Sequence, residues 1–266
     1  MSKNNNIKET TSTEKLVNVI TLNALKENKE GITNYPILDF DKRGLSLLCE
    51  GIKETLKYSS VKPAGGKAYK IIKRGLDIFF SALFLTILII PMGAIALIIY
   101  HDDKGNPIFS QIRLTENGKP FKMYKFRSMC IDAEEKFKDV QKMNETDGLA
   151  FKNENDPRIT KIGSFIRKTS IDELPQLWNV LKGEMSFIGP RPALPREIVM
   201  YTPEHMNRLL VKAGLACICQ CEGRSNVEFE KGVQSDIKYI KERSLLLDTK
   251  IAFKTIAVVI KRDGAK

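Results

Sequence analysis

The chain has 266 residues, 42% of them apolar, and carries 43 Lys and Arg against 32 Asp and Glu, for a net charge of +11. Five cysteines, an odd number with no C-x-x-C pair, point away from a disulfide framework and a zinc ribbon. Two isolated histidines, His101 and His205, point away from a Ser-His-Asp enzyme or a His-rich metal centre. The basic balance favours anionic partners, yet no helix-turn-helix, zinc finger or aromatic RNP platform is visible, so nucleic acid is not expected.

The opening stretch, MSKNNNIKETTSTEK, is polar, lacks the apolar core of a signal peptide and reads as disordered. LVNVITLNALKEN and KRGLSLLCEGIKETLKY read as two modest helices, followed by a linker, SSVKPAGGK, at residues 59–67. Residues 78–100, IFFSALFLTILIIPMGAIALIIY, then run 23 positions without a charge. As a helix they would reach roughly 35 Å, enough for a hydrocarbon core of about 30 Å; a buried helix of a soluble core is the plainer alternative.

Pro91 lies inside this run and removes a helical donor while its ring crowds the carbonyl of Ile87. Lys67, Lys70, Lys73 and Arg74 precede the run, and Lys104, Arg113, Lys119, Lys122, Lys125 and Arg127 follow it. Both flanks are thus of the kind kept on the cytoplasmic side. A helix broken at Pro91 that enters and leaves by one face exports neither flank; a kinked crossing exports one.

Residues 104–130 read as short strands with turns at Gly105-Asn106-Pro107 and Asn117-Gly118. Residues 131–145 read as a charged surface helix, and residues 146–166 as a polar loop leading into another helix. The alternation of Cys217, Cys219 and Cys221 suggests one face of a strand, with small buried side chains favoured over a metal site. Near the end, Ile251, Phe253, Ile256, Val259 and Ile260 interleave with Lys250, Lys254, Lys261 and Arg262. That pattern suits a helix lying in an acidic membrane surface or one facing a core.

The chemistry concentrates in RKTSIDELPQLWNV, residues 167–180. Asp172 and Glu173 could cap a helix, because Ser170 to Glu173 spells a capping box; Pro175 argues for a start at Asp172 or later, with Asp172 itself as the cap. Leu174, Leu177, Trp178 and Leu181 share one predicted face, and Gly183 stops the helix. Nearby cations give the acids a second use. Arg167 lies five residues upstream, and Arg191 stands between Pro190 and Pro192, a stiff mount for holding a phosphate. Two carboxylates among arginines suit phosphoryl transfer: one can attack phosphorus, and Mg²⁺ is typically held by one or two carboxylates plus substrate phosphates.

The run DPRITKIGSFIRKTSIDELPQLWNVLKGEMSFIGPRP, Asp156 to Pro192, resembles the signature of the bacterial sugar transferases, the monotopic phosphoglycosyl transferases. KRGLDIFFSALFL, FSQIRLTENGKPFKMYKFRSM and the proline-broken segment resemble the same family in the same order, over roughly residues 67–266. The resemblance implies a mostly helical α+β fold on the cytoplasmic face of the bacterial inner membrane. It divides the chain into an N-terminal extension (1–66), a re-entrant helix-break-helix (67–101) and a catalytic domain with amphipathic interfacial helices (102–266). It implies transfer of a sugar-1-phosphate from a UDP-sugar to undecaprenyl (polyprenyl) phosphate, for surface polysaccharide or glycoconjugate assembly, with UMP released. Asp172 would be the nucleophile, forming a covalent phosphosugar. Asp172 and Glu173 would hold Mg²⁺, and Lys125, Arg167, Arg191 and Arg224 would bind phosphate or nucleotide. Pro91 would mark the membrane break. Anionic lipids are expected partners, and a homo-oligomer is compatible. Two departures stand out: Ile90 where the family usually has Ser, and AGLACICQCEGR (213–224) where it often reads like PGITGWAQVNGR. They motivate an alternative reading, a catalytically silent scaffold of polysaccharide assembly.

Overall fold

The computed structural model describes residues 40–133, 135–136, 156–222 and 228–261. The helix expected at LVNVITLNALKEN, the polar N-terminus, most of the expected 131–145 helix and Arg224 lie outside the described residues.

Helix α1 (Lys42–Lys57) starts where the Asp41 carboxylate accepts from the Gly44 amide at 2.6 Å. Its buried face, Leu48, Cys49 and Ile52, packs on Leu114, Ala193, Ile198, Tyr201, Met206 and Leu209. The stretch read as an extension therefore shares one core with Leu114 and the segment from Ala193 to Leu209. Residues 59–66 form no helix or strand, as linker composition suggests.

Helix α2 (Lys67–Asp103) runs 37 residues, about 55 Å at 1.5 Å per residue, and stays helical through Pro91, so the helix-break-helix expected over 67–101 is one uninterrupted helix here; Lys104 closes it in the left-handed conformation. It is long and apolar enough to cross a membrane. It is not a core helix. Ten large apolar side chains between Ile78 and Ile98 stay exposed, Ile90 to 81%. Leaving them in water costs on the order of 10 kcal/mol, comparable with the whole stability of a domain, so this surface requires an apolar environment.

Both halves of α2 nonetheless touch the same body. On the N-terminal side, Arg74 donates to the carbonyls of Val180 and Leu181, each at 2.7 Å. Asp77 accepts from the Ser186 hydroxyl at 3.1 Å and the Phe187 amide at 3.0 Å, and Phe84 meets Phe187 edge to face. On the C-terminal side, Met92, Ile95, Ala96 and Ile99 pack with Phe126, Ile166, Ile171 and Leu174, and Asp103 pairs with Arg127.

Strands β1 (Ile108–Leu114) and β2 (Pro120–Phe126) form an antiparallel hairpin with Ile108 opposite Phe126 and Leu114 opposite Pro120. The turn between them places Asn117 and Gly118 at φ 57° and 69°, as the Asn-Gly signal predicts. A Cβ on Gly118 would also lie 2.9 Å from Ile52, so α1 closes over this turn. Helix α3 (Lys161–Lys168) follows, capped by the Thr160 hydroxyl, which accepts from the Gly163 amide at 2.9 Å. Then come a 3-10 turn at Ile171–Glu173, helix α4 (Gln176–Lys182) and strand β3 (Ser186–Ile188). Short helices α5 (Pro195–Ile198) and α6 (Pro203–Met206) lead to strand β4 (Gly214–Ala216), which pairs parallel with β3. Gly189 and Gly214 bring these backbones so close that a Cβ on Gly214 would sit 2.1 Å from the Gly189 nitrogen. Helices α7 (Ile218–Glu222), α8 (Phe229–Glu242) and α9 (Leu245–Lys261) complete the described residues. The architecture is mostly helical with two small sheets, the α+β class expected.

Three local expectations change. The cysteine triplet is not a strand: β4 ends at Ala216, and Cys219 and Cys221 lie in α7. Trp178 is half exposed, because α4 buries Gln176, Leu177, Asn179 and Val180 instead. In α9, Leu247, Ile251 and Ala252 pack into the core while Phe253, Ile256 and Ile260 are exposed, so the helix serves the core on one side and offers an apolar face outward.

Candidate active site

The capping box at Ser170 does not form. Ser170 sits at φ 57° and its hydroxyl caps nothing; the turn reverses the chain after α3. The Glu173 amide donates to the Ser170 carbonyl at 3.2 Å and the Leu174 amide to Ile171 at 3.1 Å, giving one tight 3-10 turn. Pro175 is the residue before α4, where its missing N–H costs nothing. Asp172 is therefore not a helix cap. Its carboxylate faces inward, with the residue only 8% exposed.

Three expected residues meet here. Lys125, near the end of β2, places its Nζ 2.8 Å from Glu173 Oε1 and 3.8 Å from Asp172 Oδ2. Burial drives the Asp172 carboxyl up and the Glu173 charge adds to that; Lys125 and Arg167 oppose it, leaving it at about 6. Above that pH it is ionised and poorly solvated, the state in which a carboxylate attacks best. Arg167, in the last turn of α3, holds Nη1 buried without a hydrogen-bond partner among the described residues. A buried, unsatisfied guanidinium N–H beside a reactive carboxylate suits a phosphate oxygen.

A cleft of about 340 Å³, open to solvent, extends from this turn. Lys125, Glu173, Gln176, Arg191, Cys217 and Gln220 are among the residues that line it. The exposed Arg191 thus shares the cleft with Lys125 and Glu173. Pro91 belongs to α2 and stands apart from this chemistry.

Sequence reasoning missed Gln176, Asn179 and Arg113. Gln176 is 3% exposed, and its Nε2 is a second buried donor without a partner in the cleft wall. Asn179 is fully buried. It donates to the Lys122 carbonyl at 2.6 Å and to Glu184 at 2.7 Å, and it accepts from the Tyr124 amide at 3.1 Å. It thereby stitches α4 to β2 on either side of Met123, two residues before Lys125. Arg113 donates to the Pro192 carbonyl at 3.0 Å, tying β1 to the loop that carries Arg191. The adjacent polar letters of PQLWN were the one available signal for Gln176 and Asn179; Arg113 had none.

A family model described as bacterial sugar transferase matches residues 68–262. The chain belongs to the bacterial sugar transferase family. This bacterial sugar transferase is 44% identical over 88% of its length to "Galactosyl transferase CpsE" of Streptococcus agalactiae, covering 52% of that protein. It is 43% identical over 74% of its length to "UDP-galactose-lipid carrier transferase" of Erwinia amylovora, covering 42% of it. It is 41% identical over 75% of its length to "Undecaprenyl-phosphate galactose phosphotransferase" of Salmonella typhimurium, again covering 42%. This sugar transferase thus spans about half the length of these curated relatives.

Proposed function

We propose that this chain moves a sugar-1-phosphate from a UDP-sugar to undecaprenyl or another polyprenyl phosphate, yielding a polyprenyl diphosphate sugar and UMP. The observation that carries this reading is the buried Asp172 carboxylate, held within reach of Lys125 and Glu173, two residues that line a cleft together with Gln176 and Arg191. Names of relatives that pair a UDP-sugar or undecaprenyl phosphate with galactose support the substrate classes.

In the proposed first step a carboxylate oxygen of Asp172 attacks the β-phosphorus of the donor. The bond from that phosphorus to the bridging oxygen breaks, and UMP leaves with the electron pair. In the second step a phosphate oxygen of the polyprenyl phosphate attacks the same phosphorus, and the carboxylate of Asp172 is released. Arg167, Gln176 and Arg191 would hold diphosphate oxygens, and Lys125 would keep Asp172 charged. Asp172 and Glu173 suit Mg²⁺: two hard carboxylate oxygens already converge on one cationic group, the Lys125 ammonium. When bound there, Mg²⁺ would neutralise charge on the diphosphate. UMP release in detergent, screened across UDP-hexoses and UDP-N-acetylhexosamines, is expected to need both polyprenyl phosphate and Mg²⁺ and to stop with a chelator. No UMP from any donor would favour the silent scaffold; UMP formed equally well with a chelator would remove Mg²⁺ from the scheme.

The same reading places α2 in the cytoplasmic face of the plasma membrane as a re-entrant element bent at Pro91. Asp77 and Met92 pack on one body, and the 14 residues between them make about 21 Å of helix, short of the roughly 30 Å slab a crossing requires. The outward apolar face of α9, rimmed by Lys250 and Lys254, would lie at the anionic lipid surface. Tags at the two chain ends should both be shielded from an impermeant reagent in intact cells. Labelling of one end alone would refute the re-entrant topology.

A further inference from the structure

We infer that Cys217, Cys219 and Asp236 form a binding site for a thiophilic divalent cation, Zn²⁺, buried beside the transfer cleft. Three elements supply the donors: Cys217 directly follows β4, Cys219 lies in α7, and Asp236 lies in α8. Their ligand atoms fall within 4.8 Å of one another, and the two sulfurs are 2.8 Å apart. Donors around a tetrahedral Zn²⁺ stand roughly 3.5–3.8 Å from each other, given its bond lengths to sulfur and oxygen. The cluster has this span once the two sulfurs open by about 1 Å, a side-chain rotation.

A second observation is independent of the cysteines. Asp236 is 1% exposed, and its Oδ2 takes both contacts from Arg208, Nε at 2.8 Å and Nη2 at 2.7 Å. The backbone amide of Arg191 also acts on this carboxylate, but its buried Oδ1 makes no well-formed hydrogen bond among the described residues. An unsatisfied buried carboxylate oxygen is costly, and a cation would satisfy it. Arg208 then plays the part usual around metal sites, in which a liganding carboxylate is itself held by a hydrogen bond.

Metal binding requires the thiols to lose their protons. Donor chemistry separates this site from the carboxylate turn. Thiolates select soft cations, whereas Asp172 and Glu173 offer the hard oxygens Mg²⁺ prefers. Cys221 faces away, its sulfur 3.2 Å from the Thr255 hydroxyl, and no fourth protein donor stands at the cluster among the described residues. The cation would thus keep an open coordination position. Since Cys217 also lines the cleft, occupancy of the site would brace the cleft wall at Cys217.

The test uses the full chain in detergent, kept reduced with a phosphine. Co²⁺ titration should give a near-ultraviolet sulfur-to-metal charge-transfer band, and Zn²⁺ should bind with one equivalent and remain bound in excess Mg²⁺. Cys217→Ser and Cys219→Ser should each weaken Zn²⁺ by more than about tenfold. Asp236→Asn should weaken it as well, but that variant also loses the Arg208 ion pair; should it fail to fold, the Cys219→Ser comparison decides. Absence of the Co²⁺ band, equal Zn²⁺ binding by wild type and Cys219→Ser, or peroxide oxidation of the pair to a disulfide at a rate indifferent to Zn²⁺ would overturn the assignment. None of these readouts depends on transferase activity.

Discussion

Asp172→Asn should lose turnover by a factor on the order of 10⁴ or more while making the folded protein more stable. The first half follows from removing the attacking oxygen. The second follows from burial. Folding raises the Asp172 carboxyl from 3.8 to about 6. Above about pH 6 the carboxylate is charged in both states but poorly hydrated in the native one, a penalty of roughly 2–3 kcal/mol at 1.36 kcal/mol per pKa unit. The penalty fades as pH falls from 6 towards 4, because protonation then favours the native state. The amide variant should melt several degrees higher than wild type at pH 7.5, and the gap should narrow by pH 5. Wild-type turnover should decline about tenfold per unit below pH 6, as the nucleophile protonates. Calorimetry at the two pH values and a pH–rate profile check all three outcomes. Normal turnover by Asp172→Asn would assign the nucleophile elsewhere.

Asn179→Ala should cost about 2–5 kcal/mol and lower turnover tenfold to a hundredfold. The Tyr124 amide and the Lys122 carbonyl would lose the partner that joins them to α4, and each buried group left unpaired costs about 1–3 kcal/mol. The kinetic effect arises because β2 carries Lys125, whose contact with Glu173 depends on β2 and α4 keeping their relative position; displacements near 1 Å at such sites can cost a hundredfold. Asn179→Asp should restore little, since it removes the donor to Lys122. Denaturant unfolding gives the stability change. A fall in kcat confined to conditions where the variant is fully folded separates positioning from unfolding.

The paired acids, the flanking arginines, the hairpin turn and the apolar run were legible because each is a local pattern. Asn117-Gly118 needs only its own backbone to turn, and 23 uncharged residues announce their solvent by length. What stayed hidden depends on partners distant in sequence. Asn179 matters because of Lys122 and Tyr124, more than fifty positions away. Ser170 looked like a cap, yet Pro175 and the burial of Asp172 set a left-handed reversal there instead. The alternation of Cys217, Cys219 and Cys221 has strand period, but β4 is exhausted after pairing with β3 and the chain coils into α7. Trp178 shares a predicted apolar face with Leu174, Leu177 and Leu181, whereas α4 turns its small polar Asn179 inward to meet the edge of β2.

The two carbonyls at the end of α4 and the Phe187 amide find their partners on Arg74 and Asp77, side chains of the one helix that water cannot tolerate. If α2 sits in lipid as proposed, assembly of the Asp172 turn and settlement into the bilayer would be one event. A newly made chain that has not reached lipid would then lack the strut that finishes the scaffold around Asp172, and the supply of competent protein would be metered by the membrane surface itself.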